Sequence, residues 1–101
     1  MVTIGQIAKL AALVSGVPLN RIRGRSRVKR FVAPRHAAMY CASKHTSLSL
    51  EEIGEYFDGR DHSSVWYAIE MASADLKHKP VTEPRRMIIE RVEAMLEKLN
   101  D

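Results

Sequence analysis

Apolar residues in this chain recur at steps of three and four, the spacing that places side chains on one face of a helix. Ile4, Ile7, Ala8, Ala11 and Val14 define a first helix, with Thr3 as its N-cap and Gly16 closing it. Pro18 to Ile22 allow one short helical turn, and the following RGRSRVKR, with a glycine, a serine and alternating charges, reads as an exposed loop or arm. A long helix is expected from Phe31 to His45, with Pro34 tolerated in its first turn and Met39 and Tyr40 in the core. Ser49 with Glu52 three residues on forms a capping box, the clearest helix start in the chain, followed by Leu50, Ile53 and Phe57 on one face. Asp58-Gly59 then makes a turn, and Asp61 caps a helix whose ladder Val65, Ile69, Ala72, Leu76 runs to His78. Lys79-Pro80-Val81-Thr82 breaks the chain before a last amphipathic helix, from about Glu83, with Ile88, Val92, Met95 and Leu99 at steps of four, three and four.

These elements predict an all-α fold of about five or six helices forming one domain over residues 1–101. Composition agrees, because 46% hydrophobic residues with only 5 Gly and 4 Pro are globular, helix-favouring figures. The single cysteine, Cys41, lies in the apolar stretch AAMYCA and is expected as a small buried thiol. The apolar start MVTIGQIAKLAALVSGVP is interrupted by Gln6 and Lys9, lacks a basic leader and is too short to span a bilayer, so neither a signal peptide nor a membrane anchor is expected. A soluble, cytoplasmic protein is expected from that reading, and the opening MVTIGQ favours a natural start over an excised domain.

Charge changes the picture. The net +4 is unevenly distributed: Arg21, Arg23, Arg25, Arg27, Lys29, Arg30 and Arg35 carry seven positive charges with no carboxylate among them, which leaves the rest of the chain acidic on balance. Such a patch is the electrostatic footprint of a polyanion site.

The helix capped by Asp61 begins with a run of polar residues, Arg60, Asp61, His62, Ser63 and Ser64, before its apolar rhythm starts. Two helices joined by a short turn, the second polar at its start and close to a basic segment, have the form of a helix-turn-helix. It would cover about residues 49–78, with the basic arm over about 21–30. In that motif the first turn of the second helix enters the major groove, so its side chains are polar and not needed by the core. Asp61 can accept from a cytosine amino group, and His62 and Ser63 can hydrogen-bond base edges. Ser64 and Tyr67, which helical spacing puts beside Ser63 and away from Val65 and Ile69, can donate to phosphate, and Arg60 is expected to meet the backbone. The arm would reach along the backbone or into an adjacent minor groove.

Other readings compete with this one. An RNA or non-specific nucleic-acid binder would use the arm alone. An interaction module would use the last helix or the acidic face of Glu51, Glu52, Glu55 and Asp58. An enzyme is not expected, since consecutive Asp61, His62 and Ser63 are splayed around a helix instead of aligned as a triad. His36, His45, His62 and His78 lack metal-ligand spacing and no cysteine pair supports zinc, so neither a metal nor a cofactor is expected.

IGEYFDGRDHSSV, residues 53 to 65, resembles the signature of the C-terminal DNA-binding domain of the bacterial replication initiator DnaA, usually I-G-x-x-F-G-G-R-D-H-T-T-V. The resemblance extends back through RGRSRVKRFVAPRHAAM and forward into the last helix. It implies an all-helical domain with a Trp-repressor-like helix-turn-helix that binds an asymmetric, A·T-rich duplex box as a monomer. It also implies Arg27 as a minor-groove arginine, Asp61, His62 and Ser63 as major-groove readers, and Ser64, Tyr67, Lys29 and Arg35 at or near backbone-contacting positions; Arg25, read from the charge run, is expected to bind DNA as part of the basic arm. Departures from the usual form are Ser63 and Ser64 for Thr-Thr, Tyr67 for a common His, Trp66 for a smaller apolar residue and Asp58 for Gly, so the preferred box is expected to differ. No G-x-x-x-x-G-K-[ST] loop is present, which excludes the initiator's ATPase chemistry from this chain. The resemblance implies either a free-standing DnaA-like protein in the bacterial cytoplasm or nucleoid, such as a replication or transcription regulator or a competitor for initiator boxes, or an excised domain.

Overall fold

Every helix in that hydrophobic pattern is present in the computed structural model, which describes residues 1–99. In order they are α1 (Ile4–Ser15), α2 (Leu19–Arg23), α3 (Lys29–His45), α4 (Leu50–Tyr56), α5 (His62–His78) and α6 (Pro84–Leu99), and no strand occurs among the described residues. Local chemistry sets the boundaries. At Ser49 the expected box is complete: the Glu52 amide donates to Ser49 Oγ at 3.1 Å and the Ser49 amide to Glu52 Oε1 at 2.9 Å. Those hydrogen bonds hold the Glu52 carboxyl below its usual range. Thr3 and Gln6 form a second such box at the start of α1, and Gly16 closes that helix at φ 72°, where its lack of a Cβ removes the left-handed penalty.

Helix α3 runs through the middle, against α1, α5 and α6. Its buried face, Ala37, Ala38, Met39, Cys41 and Ala42, is mostly small, which lets the neighbouring helices approach closely. Around it pack Ile7, Ile22, Ile53, Phe57, Val65, Ile89, Val92 and Leu96, each essentially inaccessible to water. Burying one such side chain contributes about 1.5–3 kcal/mol. Cys41 is fully buried, and desolvation pushes its thiol up to about 12, so it packs as an inert hydrophobe.

Three details differ from the sequence pattern. Helix α3 begins at Lys29, two residues early, because the Val28 carbonyl accepts from the amides of both Phe31 and Val32, at 2.9 and 3.0 Å. Pro34 therefore lies in the second turn instead of the first, and the arm outside helices shrinks from residues 21–30 to residues 24–28, since Arg21 and Arg23 belong to α2. On α5 the inward line is Val65, Ala68, Ala72 and Asp75, with Ile69 and Leu76 half-buried. Asp75 is drawn inside by Arg85, whose Nε donates to its Oδ2 at 2.7 Å, a pairing that hydropathy cannot foresee. On α6 the buried stripe is Ile88, Ile89, Val92 and Leu96, whereas Met95 is half-buried and Leu99, the last residue of the helix, is 63% exposed.

Arg85 also donates from Nη1 to His36 Nδ1 at 2.9 Å, so one guanidinium ties α3, α5 and α6 together. His36 must be neutral to accept that bond. Burial, then the cations Arg85, Arg35 and Arg60, push its pKa from 6.5 down to about 4, against a smaller opposing pull from Asp75. The neutral ring is favoured in the folded state, so its contribution is complete above pH 6.5 and is lost as pH falls toward 4, where the unfolded chain binds the extra proton. Urea midpoints should therefore decline across that window. The decline should flatten in His36→Gln, and an identical pH profile in that variant would refute the assignment.

Candidate nucleic-acid interface

The turn between α4 and α5 rests on a close backbone approach. The Arg60 amide donates to the Gly54 carbonyl at 2.9 Å, and a Cβ on Gly54 would overlap the Arg60 carbonyl oxygen. Only glycine fits there. Phe57 is fully buried beneath the turn, while Asp58 and Gly59 adopt positive φ, 66° and 68°, reversing the chain. Asp58 tolerates this region better than most residues with side chains.

From that turn α5 projects its first residues outward. Asp61 is the N-cap, and its Oδ1 accepts the Ser64 amide at 2.9 Å, which holds its carboxyl below the usual range. His62, Ser63 and Ser64 are exposed, as are Trp66 at 55% and Tyr67 at 57%. The remaining free amides and the positive dipole end face the same way.

The arm is fastened to this turn at several points. Arg25 donates from Nε to Asp58 Oδ2 at 3.0 Å and from Nη2 to the Asp58 carbonyl at 2.7 Å. Arg60 returns the link, its Nη2 donating to the Gly24 carbonyl at 3.0 Å. Arg23 stacks on the Tyr56 ring, 4.1 Å from its centroid, and donates to the Tyr56 carbonyl at 2.9 Å. Beneath them Arg35, only 2% exposed, donates to three carbonyls: Nη2 to Arg21 at 2.8 Å, Nε to Ile22 at 2.8 Å and Nη1 to Ser26 at 2.7 Å.

Together these elements line an open groove of about 680 Å³ that brings the arginines of the arm and the α5 tip to one surface. Of the residues singled out in the sequence, Arg25, Arg27, Arg35, Arg60, Asp61, Ser63, Ser64 and Tyr67 line it. His62 is exposed on the same first turn, whereas Lys29, at the start of α3, lines a neighbouring depression beside Arg30. Two of the arginines serve the scaffold: Arg35 forms the floor and Arg60 turns back to the arm. Sequence reasoning missed Ser26, Val32 and His36, which also line the groove. Val32, Arg35 and His36 stand at i, i+3 and i+4, a spacing that could have grouped them once Arg35 was singled out.

The groove's charge is poorly compensated. Burial first, then Arg60, pulls the Arg35 guanidinium down to about 10, and burial first, then Arg25, lowers Arg60. Asp58, paired with Arg25, and the capping Asp61 are the carboxylates beside these cations, and Arg27 and Lys29 form no ion pair among the described residues. Lys29 and Arg30 also occupy the first turn of α3, the dipole end that repels cations. An anion in the groove, between the arm and the α5 N-terminus, would offset the mutual repulsion of Arg25, Arg35 and Arg60.

Residues 4–72 match the family model described as the bacterial dnaA protein helix-turn-helix. That stretch contains α1 to α4, the arm and the first eleven residues of α5, and thus every side chain that lines the groove. The chain belongs to the DnaA helix-turn-helix family and carries a domain of the type that binds double-stranded DNA.

Proposed function

We propose that this domain binds one asymmetric, A·T-rich duplex site of the DnaA-box type in a sequence-specific manner, as a monomer and without catalysis, and so regulates replication initiation or transcription in the bacterial cytoplasm or nucleoid. The observation that carries this reading is the shared groove, which residues of the α5 tip and of the arginine arm line together. With Asp61, His62 and Ser63 in the major groove, Arg27 extends toward the neighbouring minor groove, and Lys29, Ser64, Tyr67 and Arg25 meet phosphates. Arg35 and Arg60 act as positioning residues that hold the arm against the tip. Asp61 engages Oδ1 in capping and leaves Oδ2 for a cytosine amino group, which reconciles a carboxylate with a polyanion.

A fluorescence-anisotropy titration of a DnaA-box duplex against a scrambled duplex tests this, and equal affinities at physiological salt would overturn it. Neutralising about five phosphates should give a slope of log K on log salt near −4 to −5. Asp61→Asn keeps a capping side chain but changes what it offers a base and removes a negative charge, so it should weaken the box by about tenfold and leave the scrambled duplex bound no less tightly. Arg27→Ala should weaken A·T-rich sites and lower the salt slope by about one. An arm-only RNA or non-specific binder would show the Arg27 effect on every sequence and none from Asp61→Asn.

A further inference from the structure

Thymine is the base that offers an apolar feature in the major groove, its C5 methyl. The first turn of α5 answers it poorly, because Asp61, Ser63 and Ser64 are short and polar and His62 is a hydrogen-bonding ring. One turn further on, Trp66 exposes 55% of its surface although α5 has a core face available at Val65, Ala68 and Ala72. At 100° per residue Trp66 stands on the same side of the helix as His62 and next to Ser63. Its Cα lies about 6 Å along the axis from that of His62, and helical side chains lean back toward the N-terminus, so the indole covers the surface beside the tip. Trp66 does not line the arginine groove, whereas Tyr67 does. The two aromatics therefore flank the exposed ridge of α5, Tyr67 on the arm side and Trp66 on the side away from it. Glu70, exposed one turn later, would repel phosphates and bounds this surface.

We propose that Trp66 is a specificity-determining residue that packs its indole on thymine methyls of the major-groove wall remote from the arm. This rests on the duplex-binding reading above and adds an apolar reader to a tip that otherwise reads by hydrogen bonds. A helix about 10–12 Å across fills a groove about 12 Å wide, so side chains on both flanks of its ridge meet opposite walls.

The test uses the full chain and a duplex chosen by selection from a random pool, with each thymine replaced in turn by deoxyuridine, which lacks only the methyl group. Trp66 is the sole tryptophan, so its intrinsic emission reports its own burial, while anisotropy of a dye on the DNA reports binding independently. Trp66 emission should shift on binding, and one or two deoxyuridine substitutions should weaken the wild type severalfold. Trp66→Ala, with an unchanged melting temperature, should bind the intact site about tenfold less tightly and lose its sensitivity to deoxyuridine at those positions, and Trp66→Phe should restore part of both. Specific binding with unchanged Trp66 emission, or the same deoxyuridine profile in Trp66→Ala, would overturn the role of Trp66 and leave the duplex reading intact. A Trp66→Ala defect confined to self-association or protein capture would overturn it equally. Absence of any selected sequence from the pool would instead defeat the duplex reading, and the Trp66 role with it.

Discussion

Replacing Gly54 by alanine should lower unfolding stability by about 3 kcal/mol or more, a melting-temperature drop of about 10–20 °C for a domain of this size. The methyl would overlap the Arg60 carbonyl oxygen and press on the Arg60 carbonyl carbon at 3.0 Å and on Val65 Cγ2 at 3.4 Å. These are backbone atoms and a buried side chain, so no flexible end can swing aside. The relief available is to part α4 from α5, which also breaks the bond from the Arg60 amide to the Gly54 carbonyl. Gly59→Ala makes the control: its φ is 68° but nothing lies within 4 Å of the added Cβ, so the strain there is purely conformational, about 1–2 kcal/mol. Calorimetry on both variants decides the matter, and equal losses would mean that close approach is not what Gly54 provides.

Arg35→Lys should be nearly as damaging, at about 2–4 kcal/mol, despite conserving the charge. The guanidinium is planar and reaches three carbonyls that belong to α2 and the arm, those of Arg21, Ile22 and Ser26. One ammonium on a flexible stem cannot meet all three in that geometry, and a carbonyl as buried as that of Ile22 costs about 1–3 kcal/mol if left unmet. Urea titration measures the loss, and anisotropy measures its effect on DNA. Scaffold duty predicts that stability and affinity fall together. A variant that keeps its melting temperature while affinity falls would make Arg35 a phosphate contact, as the sequence resemblance implies, and not a floor.

The helices were legible because their ends carry strong local chemistry. Ser49 with Glu52, Thr3, Gly16 and Asp61 act within one turn of themselves, and burial at steps of three and four does the rest. The polar start of α5 was legible for the same reason, since exposed side chains at a helix tip are an oddity visible without coordinates. What the sequence concealed was long-range pairing. Asp75 and Arg85 are ten residues apart, and Arg35 finds its acceptors nine to fourteen residues upstream. A run of seven cations therefore looks uniform on paper while the fold divides it: Arg35 goes beneath the surface, Arg25 to Asp58, Arg23 to Tyr56, and Arg27 and Lys29 stay uncommitted.

Five residues, 24–28, join α2 to α3 without helical support, yet they are clamped from below by Arg35 and from the side by Arg25 and Arg60. Were that segment slack in the unbound molecule, fixing it on DNA would cost about 1–2 kcal/mol per residue in backbone entropy. Held as it is, the domain should dock as one rigid body. Encounter should be fast and insensitive to base sequence, with discrimination between sites expressed in how long the complex survives.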